Sequence, residues 1–98
     1  MKDLTRITEF EWDKGNTDKN WEKHRVSDEE CEEVFFDPNK KVLEDALHSV
    51  DEARYILIGQ TKLNRFLFIS FTLRKNKVRV ISARDLNKKE KHLYEERT

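Results

Sequence analysis

The longest stretch rich in hydrophobic residues, residues 66–84, predicts two β-strands joined by a tight turn. Residues 66–73 and 77–83 are rich in β-branched and aromatic side chains. The polar residues between them include Asn76, which tolerates a left-handed turn conformation. With the turn centred on Lys75 and Asn76, the predicted cross-strand partners are Leu73 with Val78, Thr72 with Arg79, Phe71 with Val80, Ser70 with Ile81, and Ile69 with Ser82.

In this register one face of the hairpin is apolar and the other is cationic near the turn. We expect helices to cover the apolar face, because so much contiguous apolar area rarely faces water. The cationic face suits an anionic ligand, although for any single Arg or Lys a solvated surface charge is the more common explanation. The apolar face contains Leu67, Ile69, Phe71, Leu73, Val78 and Val80, and the other face grades from Phe68, Ile81 and Ala83 to Ser70, Thr72, Arg74, Lys77 and Arg79.

The remaining pattern predicts an α+β fold in the order β-α-α-β-β-β-β-α, as one domain over residues 1–98. A short amphipathic strand over residues 4–12 precedes a helix over 13–24, with Asp13 as its N-cap. Ser27 and Glu30 form a capping box that starts a second helix over 28–36. A weak edge strand over 42–48, a strand over 54–61 and a last helix after Asn87 complete the order. We expect an antiparallel sheet with the two N-terminal helices on one face.

Composition restricts the class of protein. A chain of 98 residues builds a single core, and although 41% of the residues are charged, the apolar residues are clustered as in a folded protein. No apolar run is long enough to span a bilayer, and residues 1–13 are too charged for a signal peptide, so we expect a cytoplasmic protein with no membrane partner.

The net charge of zero conceals an asymmetry between the two halves of the chain. Residues 1–52 carry 8 Lys and Arg against 16 Asp and Glu, a net −8, and residues 53–98 carry 12 against 4, a net +8. Internal ion pairs must neutralise part of this difference. The basic second half is also a candidate phosphate-binding surface, and composition alone does not separate that from an inert dipolar surface.

Cysteine and histidine usage indicates no metal site. The single cysteine, Cys31, lies in an acidic helical pattern that disfavours its thiolate, so we interpret it as a packing residue. No Cys or His residues have the spacing of zinc ligands, and we expect no cofactor.

Two paired signatures resemble the BrnT family over nearly the whole chain. The first is a Trp-Asp…Asn…Lys-His-x-Val-Ser segment, and the second an Arg…Ile-Ser-Ala-Arg…Glu…Tyr segment. Two positions depart from the family pattern: Arg25 stands where glycine is usual, and Asn16 where lysine is common. The matching residues include Trp12, Asp13, Asn20, Lys23, His24, Val26, Ser27, Glu52, Thr72, Arg74, Arg84, Glu90 and Tyr94.

The resemblance implies a RelE-like fold and the ribonuclease activity of a type II toxin that inhibits translation. It also implies a BrnA-like antitoxin, which forms a heterotetramer with the toxin through antitoxin dimerisation and contacts operator DNA on behalf of the complex. For the departures, we expect Arg25 to adopt a conformation that a β-carbon tolerates, and Asn16 to leave one cation fewer on an RNA-binding face.

The chemistry of metal-independent RNA cleavage selects among the matching residues. It needs an activated 2′-oxygen, a stabilised phosphorane charge and a protonated 5′-oxygen. Histidine titrates closest to neutrality, so His24 is the acid or base candidate, and arginines suit the phosphorane. The catalytic candidates are Lys23, His24, Arg74, Arg84 and Tyr94, and the RNA-binding candidates are Thr72, Lys75, Lys77, Arg79 and Lys88.

Several alternatives stay open at this point. In the simple register Arg74 and Arg84 lie on opposite faces and roughly 20 Å apart, so either a bulge resets Arg84 or one of the two is structural. His24 could be a helix C-terminal residue, and Tyr94 a packing residue. A non-catalytic binding module that acts only through its antitoxin complex is the second functional hypothesis. In both hypotheses we expect the partner to bind across the basic sheet and the final helix.

Overall fold

In the computed structural model, which describes residues 9–96, the predicted order of elements is confirmed. Strand β1 (Glu9–Glu11) leads into helices α1 (Lys14–His24) and α2 (Asp28–Phe35), followed by strands β2 (Lys41–Glu44), β3 (Arg54–Gln60), β4 (Phe66–Arg74) and β5 (Lys77–Asp85), and helix α3 (Lys88–Glu95). Residues 4–8 of the predicted first strand lie outside the described residues. The predicted strand over 42–48 is shorter, because residues 46–48 form a 3-10 helix.

The five strands form one sheet in the order β1-β5-β4-β3-β2. Strands β2 to β5 pair antiparallel, as expected. Strand β1 joins β5 in parallel, so the sheet is mixed rather than wholly antiparallel. Strand β2 lies at an edge, in agreement with the sequence analysis. None of the helices in the described part is long and apolar enough to cross a membrane.

The predicted apolar face of the hairpin is the centre of the core. Leu67, Ile69 and Phe71 alternate along β4 and are wholly buried. Helices α1 and α2 cover this face, and Phe35 packs edge-on against Phe71 with ring centroids 5.0 Å apart. Cys31 is buried in the same cluster, and burial raises the pKa of its thiol to about 12, which is consistent with a packing residue.

Both helix starts follow the predicted capping. The Asp13 side chain accepts a hydrogen bond from the amide of Asn16, and Ser27 and Glu30 form the reciprocal capping box of α2. The expectation for Arg25 is wrong in its geometry. This residue ends α1 with φ of 53°, in the left-handed region that glycine favours, so an arginine here adds about 1 kcal/mol of strain.

The hairpin turn and its first pairs are confirmed, but the register changes farther along. Lys75 and Asn76 both have positive φ, 49° and 66°, as a tight hairpin turn requires. A β-bulge then shifts the pairing, so the two predicted pairs beyond Phe71 are wrong. The observed pairs there are Ser70 with Ser82, Ile69 with Ala83 and Phe68 with Arg84.

Two asparagines of α1 satisfy backbone groups on either side of this bulge. The side-chain amide of Asn16 donates to the Val80 carbonyl at 3.3 Å, and the Asn20 oxygen accepts from the Ala83 amide at 3.1 Å. Asn16 therefore contacts the sheet from the helix side. The expectation that position 16 belongs to an RNA-binding face stays a prediction.

The bulge reverses the predicted faces of Ala83 and Arg84, which follow it in β5. Ala83 lies in the core, not on the cationic face as predicted. Arg84 now shares a face with Arg74, since its partner Phe68 is six positions, an even number, before Arg74 in β4. The predicted placement on opposite faces is wrong, yet about 20 Å of strand still separates the two arginines.

Candidate functional site

The sheet face opposite α1 and α2 carries a row of cationic and hydroxyl side chains. Arg54 of β3 pairs with Thr72 of β4, which in turn pairs with Arg79 of β5. Directly paired residues share a face with Cβ atoms about 5 Å apart, so two arginine side chains flank Thr72. Thr72 itself is wholly buried, which the sequence did not predict for an RNA-binding candidate. Arg74 and Lys77 form the next pair toward the turn. We call these five residues, Arg54, Thr72, Arg74, Lys77 and Arg79, the cationic face.

A carboxylate from the segment before β3 lies on this face. Glu52 accepts hydrogen bonds from Arg74 at 2.7 and 3.4 Å. The hydrogen bond from Arg74 holds the pKa of Glu52 below its usual value, and the nearby Arg79 and Thr72 lower it further. Glu52 therefore occupies the position of an anion on the cationic face.

Other carboxylates from the first half of the chain pair with the same face. Lys77 forms an ion pair of 2.8 Å with Glu9, and Arg79 lies 3.5 Å from Asp13. These contacts explain how the −8 and +8 halves coexist in one small domain. A polyanion that binds the cationic face must compete with these internal carboxylates.

Arg84 lies at the far end of the same sheet face and holds α3 in place. Its Nη1 and Nη2 atoms each donate to one carboxylate oxygen of Glu90 at 2.8 Å. Its guanidinium group also lies 4.0 Å from the centroid of the Phe68 ring. These contacts favour the structural alternative for this arginine. Lys88, the first residue of α3, is exposed.

Tyr94 faces the protein interior from α3. Its hydroxyl donates to Asp37 at 2.7 Å, and its ring packs edge-on against Phe66 at 5.4 Å between centroids. Burial, together with the nearby Asp37 carboxylate, raises the pKa of Tyr94 to about 12. The position favours packing over proton transfer.

Lys23 and His24 lie at the end of α1, near the opposite end of β4 from Arg74. Both side chains are exposed, and the His24 carbonyl accepts a hydrogen bond of 2.8 Å from Arg65. Arg65 directly precedes β4, and Arg74 ends it. The length of that strand, about 25 Å, separates these two parts of the predicted site.

The structure therefore brings together Thr72, Arg74, Lys77 and Arg79, with Lys75 in the adjoining turn. It does not bring Lys23, His24, Arg84 or Tyr94 into contact with them. Sequence reasoning named Glu52 among the residues that match the family, but it assigned neither Glu52 nor Arg54 to the site. Extending the hairpin register to the strand over 54–61 could have placed Arg54 beside Thr72.

Comparison with known proteins gives a consistent result. A family model described as "Ribonuclease toxin, BrnT, of type II toxin-antitoxin system" matches residues 12–90. The fold is similar to the crystal structure of the Brucella abortus ribonuclease toxin BrnT, with a TM-score of 0.64 and 19% sequence identity over 82% of this chain and 97% of that chain. At this identity the likeness shows the fold alone. The search of curated proteins found no match.

Proposed function

The chain belongs to the BrnT family of ribonuclease toxins of type II toxin-antitoxin systems, and on this premise we propose that it cleaves RNA at the cationic face without a metal ion. The observation that carries the proposal is the set of Arg54, Arg79 and Arg74 on one sheet face, where Arg54 and Arg79 lie on either side of the buried Thr72. The parallel N–H donors of a guanidinium group match the geometry of phosphate oxygens, and the group keeps its charge at every physiological pH. Three arginine side chains on a rigid sheet can stabilise a phosphorane without a metal.

In this proposal Glu52 accepts the proton of the attacking 2′-hydroxyl. A phosphate bound by Arg74 competes with Glu52 for the same guanidinium group. Loss of that hydrogen bond returns the pKa of Glu52 toward its ordinary value and frees it to act as a base. The leaving 5′-oxygen takes its proton from solvent, because His24 lies near the far end of β4. In this proposal Lys75 and Lys77 bind the adjoining phosphates, and Lys77 exchanges its ion pair with Glu9 for a phosphate.

A BrnA-like antitoxin is the proposed partner, in a heterotetramer formed through antitoxin dimerisation. We propose that it covers the cationic face, since inhibition is simplest where RNA binds, and that its own DNA-binding part contacts the operator. The site of action is the cytoplasm, where the RNA substrate is found. Lys88 would extend the RNA-binding surface toward α3.

The spread of the predicted catalytic residues supports the second hypothesis, a non-catalytic binding module. Arg74 is about 20 Å along the sheet from Arg84, and Lys23 and His24 lie farther still. A degenerate toxin that acts only by binding its antitoxin would tolerate such a spread. Activity measurements separate the two.

The test is cleavage of a purified RNA and of ribosome-bound message, with and without EDTA. We expect wild-type activity to survive EDTA, and Arg74→Ala to lower it by at least about 10²-fold, the scale for removing one preorganised donor. Lys62→Ala removes one exposed positive charge from the turn before β4 and is the matched control. Wild-type protein that is inactive on both substrates would favour the binding module, and activity abolished by EDTA would contradict metal independence.

A further inference from the structure

The loop between β2 and β3 presents two aliphatic side chains almost wholly to solvent. Leu47 is 87% exposed and Val50 is 86% exposed. We call these two residues the loop patch. Single exposed aliphatic side chains are common on protein surfaces, but two that line the same cleft suggest a contact surface.

Hydrogen bonds hold this loop in a defined shape. The amide of Asp45 donates to the Arg54 carbonyl at 2.9 Å, which closes the base of the loop. The Ser49 hydroxyl donates to the Asp45 carbonyl at 2.6 Å and accepts from the Arg54 amide at 2.9 Å. The loop patch therefore lies on a loop whose conformation is fixed by hydrogen bonds. Because both side chains are almost wholly exposed, they bury little apolar area in the isolated chain.

The loop patch borders the cationic face. Leu47 and Val50 line a cleft of ≈ 600 Å³ together with Glu52, Arg54 and Arg74. Within residues 9–96, Arg54 forms no ion pair with a carboxylate, while Arg74 is held by Glu52. The cleft thus has an aliphatic wall and two guanidinium groups. Arg54 is available to an external anion, and Arg74 can exchange the Glu52 carboxylate for an external one.

This combination distinguishes a peptide from RNA. Phosphates can use Arg54 and Arg74 but bury no aliphatic surface, so contacts with the phosphate backbone alone leave the loop patch in water. A peptide segment with aliphatic side chains next to carboxylates contacts both the loop patch and the guanidinium groups of Arg54 and Arg74. Such a segment would occupy the groups that hold phosphate in the proposed reaction.

We propose that the loop patch and Arg54 dock an acidic, aliphatic segment of the antitoxin, whose carboxylate replaces Glu52 on Arg74. The inference rests on the proposed function in that it assumes an antitoxin acting at the cationic face. It adds the position of the anchor, at the Arg74 end of the sheet rather than on α3. Arg84 at the other end is already engaged by Glu90.

The test uses the protein encoded by the adjoining reading frame as the probe, with binding measured by titration calorimetry. We expect the double variant Leu47→Ser, Val50→Ser to bind at least about 30-fold more weakly, the effect of losing a buried hot spot. Arg54→Gln should weaken binding about tenfold and reduce its salt dependence. Leu63→Ser is the matched control, because Leu63 is 91% exposed in the β3–β4 turn, away from the cleft.

The outcomes separate this inference from the proposed function. The double variant should cleave RNA as wild type does but escape inhibition. If the wild-type protein cleaves no RNA but the double variant still loses the antitoxin complex, the docking stands and the nuclease proposal fails. Unchanged affinity of the double variant overturns the docking alone, and no complex with wild type overturns both the docking and the antitoxin. If the double variant loses RNA affinity as strongly as antitoxin affinity, the loop patch belongs to the RNA-binding surface and the docking is overturned. If it loses self-association in sedimentation, the loop patch contacts a second copy of the chain, which also overturns the docking.

Discussion

Arg74 and Glu52 are joined side-on, with Nε of Arg74 donating to one carboxylate oxygen at 2.7 Å and Nη2 lying 3.4 Å from the other. This is the geometry in which an arginine binds a phosphate through two parallel donors. The same contact brings a carboxylate to the centre of the cationic face. Glu52 can therefore act in two ways, as a competitor of the substrate or as the proposed base, and its amide variant distinguishes them.

For Glu52→Gln we expect tighter RNA binding but cleavage at least about 10²-fold slower, because the variant removes a competing charge and the proton acceptor together. Filter binding and single-turnover cleavage measure the two effects. Asp51→Asn, which removes the neighbouring charge in the same cleft, is the control. A Glu52→Gln protein that cleaves as fast as wild type, or faster, would show that Glu52 only masks Arg74.

For Arg84→Ala we expect a loss of about 1 to 2 kcal/mol in the free energy of unfolding, since Glu90 would lose both of its charged donors in a partly exposed position. Urea unfolding of this variant, of Glu90→Gln and of the double variant measures the coupling between the two residues. Strong non-additivity identifies a structural pair. Unchanged stability combined with a 10²-fold loss of cleavage would instead make Arg84 a catalytic residue.

Arg74, close to the hairpin turn, and Arg84, beyond the bulge, show where sequence reasoning succeeded and where it failed. Elements, caps and the turn at Lys75 and Asn76 follow from local periodicity and turn chemistry, so they could be predicted. The bulge could not be predicted, because the backbone groups on either side of it are hydrogen-bonded by Asn16 and Asn20, more than 60 residues away in the chain. The predicted faces of Ala83 and Arg84, which follow the bulge in β5, changed with it.

The candidate site was predictable only in part for a similar reason. The hairpin register placed Thr72 beside Arg79 correctly, since both belong to neighbouring strands with a short turn. Glu52 reaches Arg74 across 22 residues through a loop with no repeating pattern. The family motif grouped residues that the fold separates, because shared motifs mix residues that build the fold with those that perform chemistry.

For Asn20→Ala we expect a destabilisation of about 1 to 3 kcal/mol, because the Ala83 amide would lose its acceptor in a buried position. Hydrogen exchange of the Ala83 amide should accelerate more than that of Ile69 on the neighbouring strand. Asn16→Ala is the milder control, since Asn16 is only half-buried. If exchange at Ala83 is unchanged in Asn20→Ala, then α1 does not hold the bulge.

The last prediction concerns the stability of the Lys23 and His24 end of the molecule at low pH. Arg65 donates to Glu30 and to Asp85 and also binds the carbonyl groups of His24 and Arg25. The hydrogen bond from Arg65 lowers the pKa of Asp85. Burial acts to raise the pKa of Glu30, but hydrogen bonds from the Ser27 amide and Arg65 outweigh it and leave that pKa lowered.

A carboxylate whose pKa is lower in the folded state stabilises the protein above its unfolded pKa and loses that stabilisation as the pH falls through the folded pKa. We therefore expect the free energy of unfolding to decline below pH 4.5 and then 3.8, the ordinary values for Glu30 and Asp85. Arg65→Met should cost about 2 to 3 kcal/mol at pH 7 and progressively less in acid, because protonated carboxyl groups no longer need the guanidinium. Urea unfolding from pH 7 to pH 3 measures both curves, with Lys62→Met as the control for a lost surface charge. Curves for wild type and Arg65→Met that stay parallel over this range would contradict the assignment of the acid dependence to Arg65.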